Sequence, residues 1–150
     1  MIRVLFICHG NICRSPMAQY VFEDMLKKQG IADLFEIDSA ATSREEIGNG
    51  VHHGTRRKLA EMGIPCGNHR ARQVTKADYK FYDYLLIMDA NNRRNLMRIL
   101  GSDPEHKVHG LLDFSRRPRD IADPWYTGNF DVTYEDIAEG CTDFLQHVMK

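Results

Sequence analysis

The chain begins with an almost unbroken apolar run: Ile2, Val4, Leu5, Phe6 and Ile7 lead to Cys8, with Arg3 the one charge among them. Such a run suits a central parallel strand over Ile2 to Cys8, covered on both faces, and not an amphipathic edge. A glycine and an asparagine then break the pattern, and it resumes with a different period. From Ser15 to Gln29, Met17, Tyr20, Val21, Met25 and Leu26 recur at helical spacing, with Pro16 in the first turn and Gly30 as the stop. The same unit recurs along the chain. Phe35 to Ala40 predicts a second strand, followed by a helix over His53 to Met62 that turns Leu59 and Met62 inward and ends at Gly63. Tyr84 to Met88 predicts a third strand, Asn91 to Leu100 the next helix, and Val108 to Leu112 a fourth strand. A closing helix is expected over Thr133 to Val148, with Thr133 at an N-cap-like position, Asp136 three residues on, and Ile137, Cys141, Phe144, Leu145 and Val148 as its inner stripe.

Strands alternating with helices over short connections argue for an α/β domain on a parallel sheet, joined by right-handed crossovers. At 150 residues the chain fits one domain, 1–150, with no repeat, low-complexity tract or linker to divide it. Sheets of this kind bind ligands beyond the carboxyl ends of their strands. The loop at residues 8 to 15, directly after the first strand, lies at that edge.

Composition narrows the partners. A formal charge of −1 gives no general electrostatic reason to bind nucleic acid or anionic lipid, and no apolar run is long enough to cross a bilayer. The four cysteines, Cys8, Cys13, Cys66 and Cys141, form no CxxC pair, and the N-terminal stretch lacks the pattern of a signal peptide, so a reducing, cytoplasmic location is expected. Cys66 and Cys141 read as structural. Among the seven histidines no metal-ligand spacing occurs; His52 and His53 are adjacent and would diverge on a helix, so no metal is assigned. Basic clusters at 55–58, 91–98 and 115–120 read as solvated faces, the last immediately ahead of Asp123.

The candidate chemistry is concentrated in the loop "CHGNICRSP", residues 8 to 16. A loop of inward-curling amides that runs into a helix N-terminus is a ready site for a doubly charged oxyanion. Gly10 permits a tight turn, Asn11 tolerates a left-handed backbone, and the planar fork of Arg14 can hold two phosphoryl oxygens at once. Cys8, at the end of the strand, faces the amides, the helix dipole and Arg14, all of which favour a thiolate. A cysteine and arginine at this spacing alone would fit an inert core thiol better. The order of strand, glycine-containing loop, arginine, hydroxyl residue and helix is what phosphate binding needs. A thiolate attacking a phosphate ester also needs an acid for the departing oxygen. "DPWY" at 123–126 offers Asp123, held extended by Pro124, with Trp125 and Tyr126 as an apolar wall for an aromatic leaving group. An Asp-Pro turn with anchoring aromatics is the plainer alternative.

Taken together, "CHGNICRSP" after the first strand, "DSAA" at 38–41, "HRARQ" at 69–73, "LLIMD" at 85–89 and "DPWY" at 123–126 resemble, in order and over nearly the whole chain, the low-molecular-weight protein tyrosine phosphatase family. The resemblance implies a three-layer, four-stranded parallel sheet of flavodoxin-like topology, with no metal and no organic cofactor. It implies Cys8 as the nucleophile of a phosphocysteine intermediate, Arg14 as the phosphate binder and Asp123 as acid and then base. His9, Gly10, Asn11, Ile12, Cys13, Arg14 and Ser15 would form the phosphate loop, and Ser15, Ser39 and His69 would join Asn11 in supporting it. Ser15 would also hydrogen-bond the Cys8 sulfur. Cys13 would pair with Cys8 under oxidant, or simply fill space beneath the loop.

For substrate, the resemblance implies phosphotyrosine proteins or small aryl phosphates, inorganic phosphate as product and inhibitor, and a monomeric enzyme. Ile12 stands where members that prefer phosphoarginine tend to carry threonine, which favours phosphotyrosine. Arg44, Glu45 and Glu46 occupy the region where many eukaryotic members place an aromatic pocket wall. Glu45 as a polar wall, beside Trp125 and Tyr126, would select a basic flanking residue; otherwise it points to solvent. Arsenate reduction shares the loop and fold but needs resolving cysteines near mid-chain, and residues 67 to 140 contain none. A phosphate carrier would form phosphocysteine without needing Asp123.

Overall fold

A computed structural model describes all of residues 1–150. Strand β1 (Ile2–Cys8) is followed by helix α1 (Arg14–Lys28), and β2 (Phe35–Ala41) by α2 (His53–Glu61). Then come α3 (Lys76–Phe81), β3 (Tyr84–Ile87), α4 (Ala90–Leu100), β4 (Val108–Gly110), the single turn α5 (Pro124–Thr127) and α6 (Phe130–Val148). The four strands form one parallel sheet in the order β2-β1-β3-β4. The first strand is thus interior, with Cys8 beside Ala41 on one side and Ile7 beside Ile87 on the other.

The two-residue alternation of β1 explains the layers. Val4, Phe6 and Cys8 belong to the core shared with α1 and α6, whereas Leu5 and Ile7 belong to a second core with Tyr82, Leu96 and Val108. In the first core Phe22 of α1 packs edge-on against Phe6 and Phe35 and lies against Phe144 of α6, with ring centroids 5.5 to 5.8 Å apart. Each such pair adds about 0.5–1.5 kcal/mol beyond its buried area. This packing seats the start of α1 directly over the end of β1.

Several elements differ from the sequence expectation. Helix α3 was not anticipated, although Thr75 and Asp78 form a reciprocal capping box at its start. The fourth strand ends at Gly110, because Leu111–Phe114 tighten into a 3₁₀ turn closed by Asp113, whose carboxylate accepts from Gly110 N at 2.8 Å. Thr133 is not a cap: α6 begins at Phe130 under Asn129, whose side chain accepts from Val132 N. Thr133 is instead buried, its hydroxyl bonded to the carbonyls of Ala122 and Asn129. Met62 does not face inward; α2 ends at Glu61, leaving Met62 43% exposed while Leu59 is fully buried. No helix is long and apolar enough to cross a membrane.

Candidate active site

The strand end, the loop and the helix start fold around the sulfur of Cys8. Asn11 N and Ser15 N point at Cys8 Sγ from 3.3 and 3.4 Å, and Ser15 Oγ lies 3.0 Å from it. The left-handed turn falls on Asn11, with φ of 59°, and not on Gly10. Gly10 adopts no positive φ, and a Cβ there would meet nothing closer than the Glu46 side chain, at 3.4 Å.

A directional network runs beneath the loop. Asn11 Nδ2 donates to Ser15 Oγ at 2.7 Å and to Ser39 Oγ at 3.0 Å, and Ser39 Oγ donates to Gln19 Oε1 at 2.6 Å. On its other side Asn11 Oδ1 accepts from His69 Nε2 at 2.7 Å and from Arg72 N at 3.3 Å. Since Ser15 Oγ already accepts from Asn11, its own proton is free to point at Cys8. Burial lowers the His69 pKa, and Arg72 adds to that effect while Asp38 opposes it. Arg72 is in turn clamped by Asp38 and Asp78 at 3.0 to 3.2 Å. Gln19, Asp38, Arg72 and Asp78 were not singled out from sequence; they lie on α1, β2, the loop before α3 and α3 itself, and only their convergence identifies them.

Arg14 is the largest fully buried side chain. Its Nη1 donates to Asp89 Oδ2 at 2.6 Å and to Ile121 O at 2.8 Å, and its Nη2 reaches Asp123 Oδ2 at 3.4 Å. Burial alone would lower its pKa, but the charges of Cys8, Asp89 and Asp123 outweigh that and raise it, so the guanidinium stays charged. Asp89, which also caps α4, is a further site residue that the sequence reading passed over within "LLIMD". Asp123 caps α5, with Oδ1 accepting from Trp125 N at 3.0 Å.

These groups border one cleft of about 110 Å³, lined by Cys8, His9, Gly10, Ile12, Cys13 and Arg14 from the loop. Asp123, Trp125 and Tyr126 form one wall and Glu45 and Glu46 the other. His9 Nε2 lies 2.8 Å from Glu45 Oε2, so Glu45 borders the cleft while most of its side chain stays in solvent. Ser39 and His69 sit behind the loop and do not line the cleft. Cys13 is buried and free; burial, then the charges of Cys8 and Asp123, push its thiol up to about 12. His52 and His53 do not diverge as expected. His52 lies before α2 and not on it, and the two rings stack with centroids 4.2 Å apart.

The family model for low molecular weight phosphotyrosine protein phosphatases matches residues 3–150. The chain belongs to this family. It is accordingly a protein-tyrosine-phosphatase, a hydrolase. The low molecular weight protein-tyrosine-phosphatase YfkJ of Bacillus subtilis is 40% identical over 152 residues, covering 100% of this chain and 97% of its own. The human low molecular weight phosphotyrosine protein phosphatase is 39% identical over 148 residues, covering 95% and 93%. The YfkJ crystal structure superposes with a TM-score of 0.95 at 39% identity, over 99% of this chain and 95% of its own. A Drosophila arginine phosphatase superposes at 0.88 with 28% identity, over 99% of each chain. The phosphatase fold is therefore shared with a protein named for a different phosphoryl bond.

Proposed function

We propose that this phosphatase hydrolyses phosphotyrosine in proteins through a phosphocysteine intermediate, with Cys8 as nucleophile. The observation that carries the reading is that Cys8 Sγ has three hydrogen-bond partners within 3.4 Å and shares one cleft with Arg14 and Asp123. In the first step the thiolate forms an S–P bond as the P–O bond to the tyrosine oxygen breaks. Asp123, protonated, gives its proton to that oxygen. In the second step Asp123 takes a proton from water as the water oxygen bonds to phosphorus, the S–P bond breaks, and orthophosphate leaves. Arg14, released from Asp123 toward the substrate, binds two phosphoryl oxygens, and its grip strengthens as charge spreads over them. The Ser15 hydroxyl stabilises the departing sulfur.

This scheme uses one catalytic domain over 1–150 and calls on no metal or organic cofactor. Inorganic phosphate, which fits the same loop, acts as a competitive inhibitor, and the enzyme works as a monomer in a reducing, cytoplasmic setting. Cys13, a neutral thiol beneath the loop, is the partner for a protective disulfide with Cys8 under oxidant. Phosphoarginine is the second reading, favoured by the Drosophila neighbour and opposed by Ile12, which lines the cleft where phosphoarginine-preferring members of the family tend to carry threonine. Turnover of a phosphotyrosine peptide and a phosphoarginine peptide, with wild type, Cys8→Ser and Asp123→Asn, separates them. Preference for phosphotyrosine, lost in Cys8→Ser and strongly slowed in Asp123→Asn, supports the assignment; preference for phosphoarginine overturns the substrate, and no release from either substrate overturns hydrolysis.

A further inference from the structure

His52 lies outside the cleft lining yet touches both the phosphate loop and the Trp125 wall. Its backbone N–H donates to Ile12 O at 2.8 Å, and three residues on Thr55 Oγ1 donates to Cys13 O at 3.1 Å, so the start of α2 is tied twice to the phosphate loop. Its ring meets the Trp125 indole edge-on at 5.7 Å and lies parallel to Phe130 at 5.5 Å. Phe130 in turn fills the space over Gly54, where a Cβ would come within 2.3 Å of its ring. The ring is also fixed in rotation, because Nδ1 accepts from Gly54 N at 3.0 Å as the cap of α2. Trp125 is 58% exposed, and His52 is its aromatic partner. The Trp125 backbone N–H donates to Asp123 Oδ1 at 3.0 Å, so where the start of this turn sits helps decide where that carboxylate points.

We propose that His52 is a positioning residue, latching the 123–126 loop to the phosphate loop so that Asp123 meets the leaving oxygen. The inference rests on the reading of Asp123 as the acid. The latch holds only while Nδ1 is unprotonated, since a protonated nitrogen cannot accept from Gly54 N. Burial and the neighbouring His53 lower the His52 pKa, while Glu46 across the loop and Asp123 oppose them. The ring is therefore neutral at pH 7, and acid releases it.

Two substitutions separate its parts. His52→Asn keeps a cap acceptor and removes the ring; His52→Phe keeps the ring and removes the acceptor. Phenyl phosphate, a poor leaving group, depends on the acid far more than p-nitrophenyl phosphate does. The expected result is that His52→Asn loses kcat/KM on phenyl phosphate about tenfold more than on p-nitrophenyl phosphate, part of the about 10²–10⁴ that a full acid supplies. An unchanged ratio between the two substrates, or equal loss on both, overturns the latch.

Trp125 is the only tryptophan, so its emission reads the same loop without turnover. Wild-type emission should titrate below the ordinary histidine value of about 6.5 as the imidazolium quenches the indole. That transition should vanish in both His52 variants and persist in His53→Gln; its survival in His52→Asn or His52→Phe overturns the contact. If wild type hydrolyses neither ester, the catalytic reading fails, and the emission titration still decides whether His52 holds Trp125.

Discussion

The floor and the rim of the cleft are built on opposite plans. On the floor, Arg14 is 2% exposed, Asn11, Cys8 and Ser15 are as deeply buried, and each side chain has at least two polar partners. On the rim, Trp125 and Tyr126 are 58% and 81% exposed, and Glu45 has one side-chain partner, His9. The floor is a strand end meeting a helix start inside a packed core, whereas the rim is carried by loops and one helical turn. Stabilising a developing phosphoryl charge requires donors that do not rearrange during reaction. Choosing a substrate requires surfaces that can vary without unfolding the protein. In the function proposed above, the floor carries the chemistry and the rim the selection.

Substitutions test that division in descending order of effect. Cys8→Ser should abolish turnover while leaving the melting temperature close to wild type. Asp123→Asn, at the junction of floor and rim, should lower kcat/KM on phenyl phosphate by about 10²–10⁴. Asn11→Ala removes the group that joins His69, Ser15 and Ser39: His69 Nε2 and Arg72 N lose their acceptor, while Ser15 and Ser39 keep only Cys8 and Gln19. It should cost about 1–3 kcal/mol in urea unfolding as well as activity, because floor chemistry and stability share the same bonds. Glu45→Gln, by contrast, should leave stability unchanged and shift only the preference between lysine-flanked and glutamate-flanked phosphotyrosine peptides, by less than about tenfold, as expected of one solvent-exposed charge. Indifference to the flank in wild type would assign Glu45 to solvent and leave selection to the aromatic wall.

The smallest effect concerns the anchor of the rim. Arg119, on the segment leading to Asp123, binds Asp136 and Glu139 of α6 at 2.7 to 3.1 Å. The bond from Arg119, then that from Ser115, holds the Glu139 carboxyl down at about 2, against an ordinary 4.5. A carboxyl depressed on folding contributes stability above its unfolded value and loses it as pH falls through the folded one. The wild-type advantage over Glu139→Gln should therefore be constant above about pH 4.5 and shrink toward pH 2. Because Glu139 is largely solvated, the difference should be small and should fall with added salt.

The same division governed what the sequence could disclose. Ile2–Cys8, the Arg14 helix and the C-x5-R spacing are contiguous, and their periodicity and turn residues announce them directly. Asp123 was recognisable because Pro124 and two aromatics mark it. Asp89, Glu46, Arg72 and His52 were not read as site residues, since each becomes one only through partners 34 to 75 residues away or across a loop. His52 and His53 misled for a local reason: one residue decides whether a pair lies on a helix or straddles its cap. Thr133 misled similarly, because a threonine bonded back to the carbonyl four residues earlier resembles a cap in sequence and is interior in structure.

Arg14 is satisfied by Asp89, Ile121 and Asp123, which lie 75, 107 and 109 positions further along the chain. During synthesis, then, the phosphate loop emerges with its guanidinium unpartnered, and it cannot be buried at low cost until the chain has been made through Asp123. Contacts of that span are slow to close and are closed late. The phosphatase should acquire the capacity to hold phosphate only once these three contacts have closed, so that phosphate binding reports their closure and a chain that stops short of Asp123 has no catalytic effect.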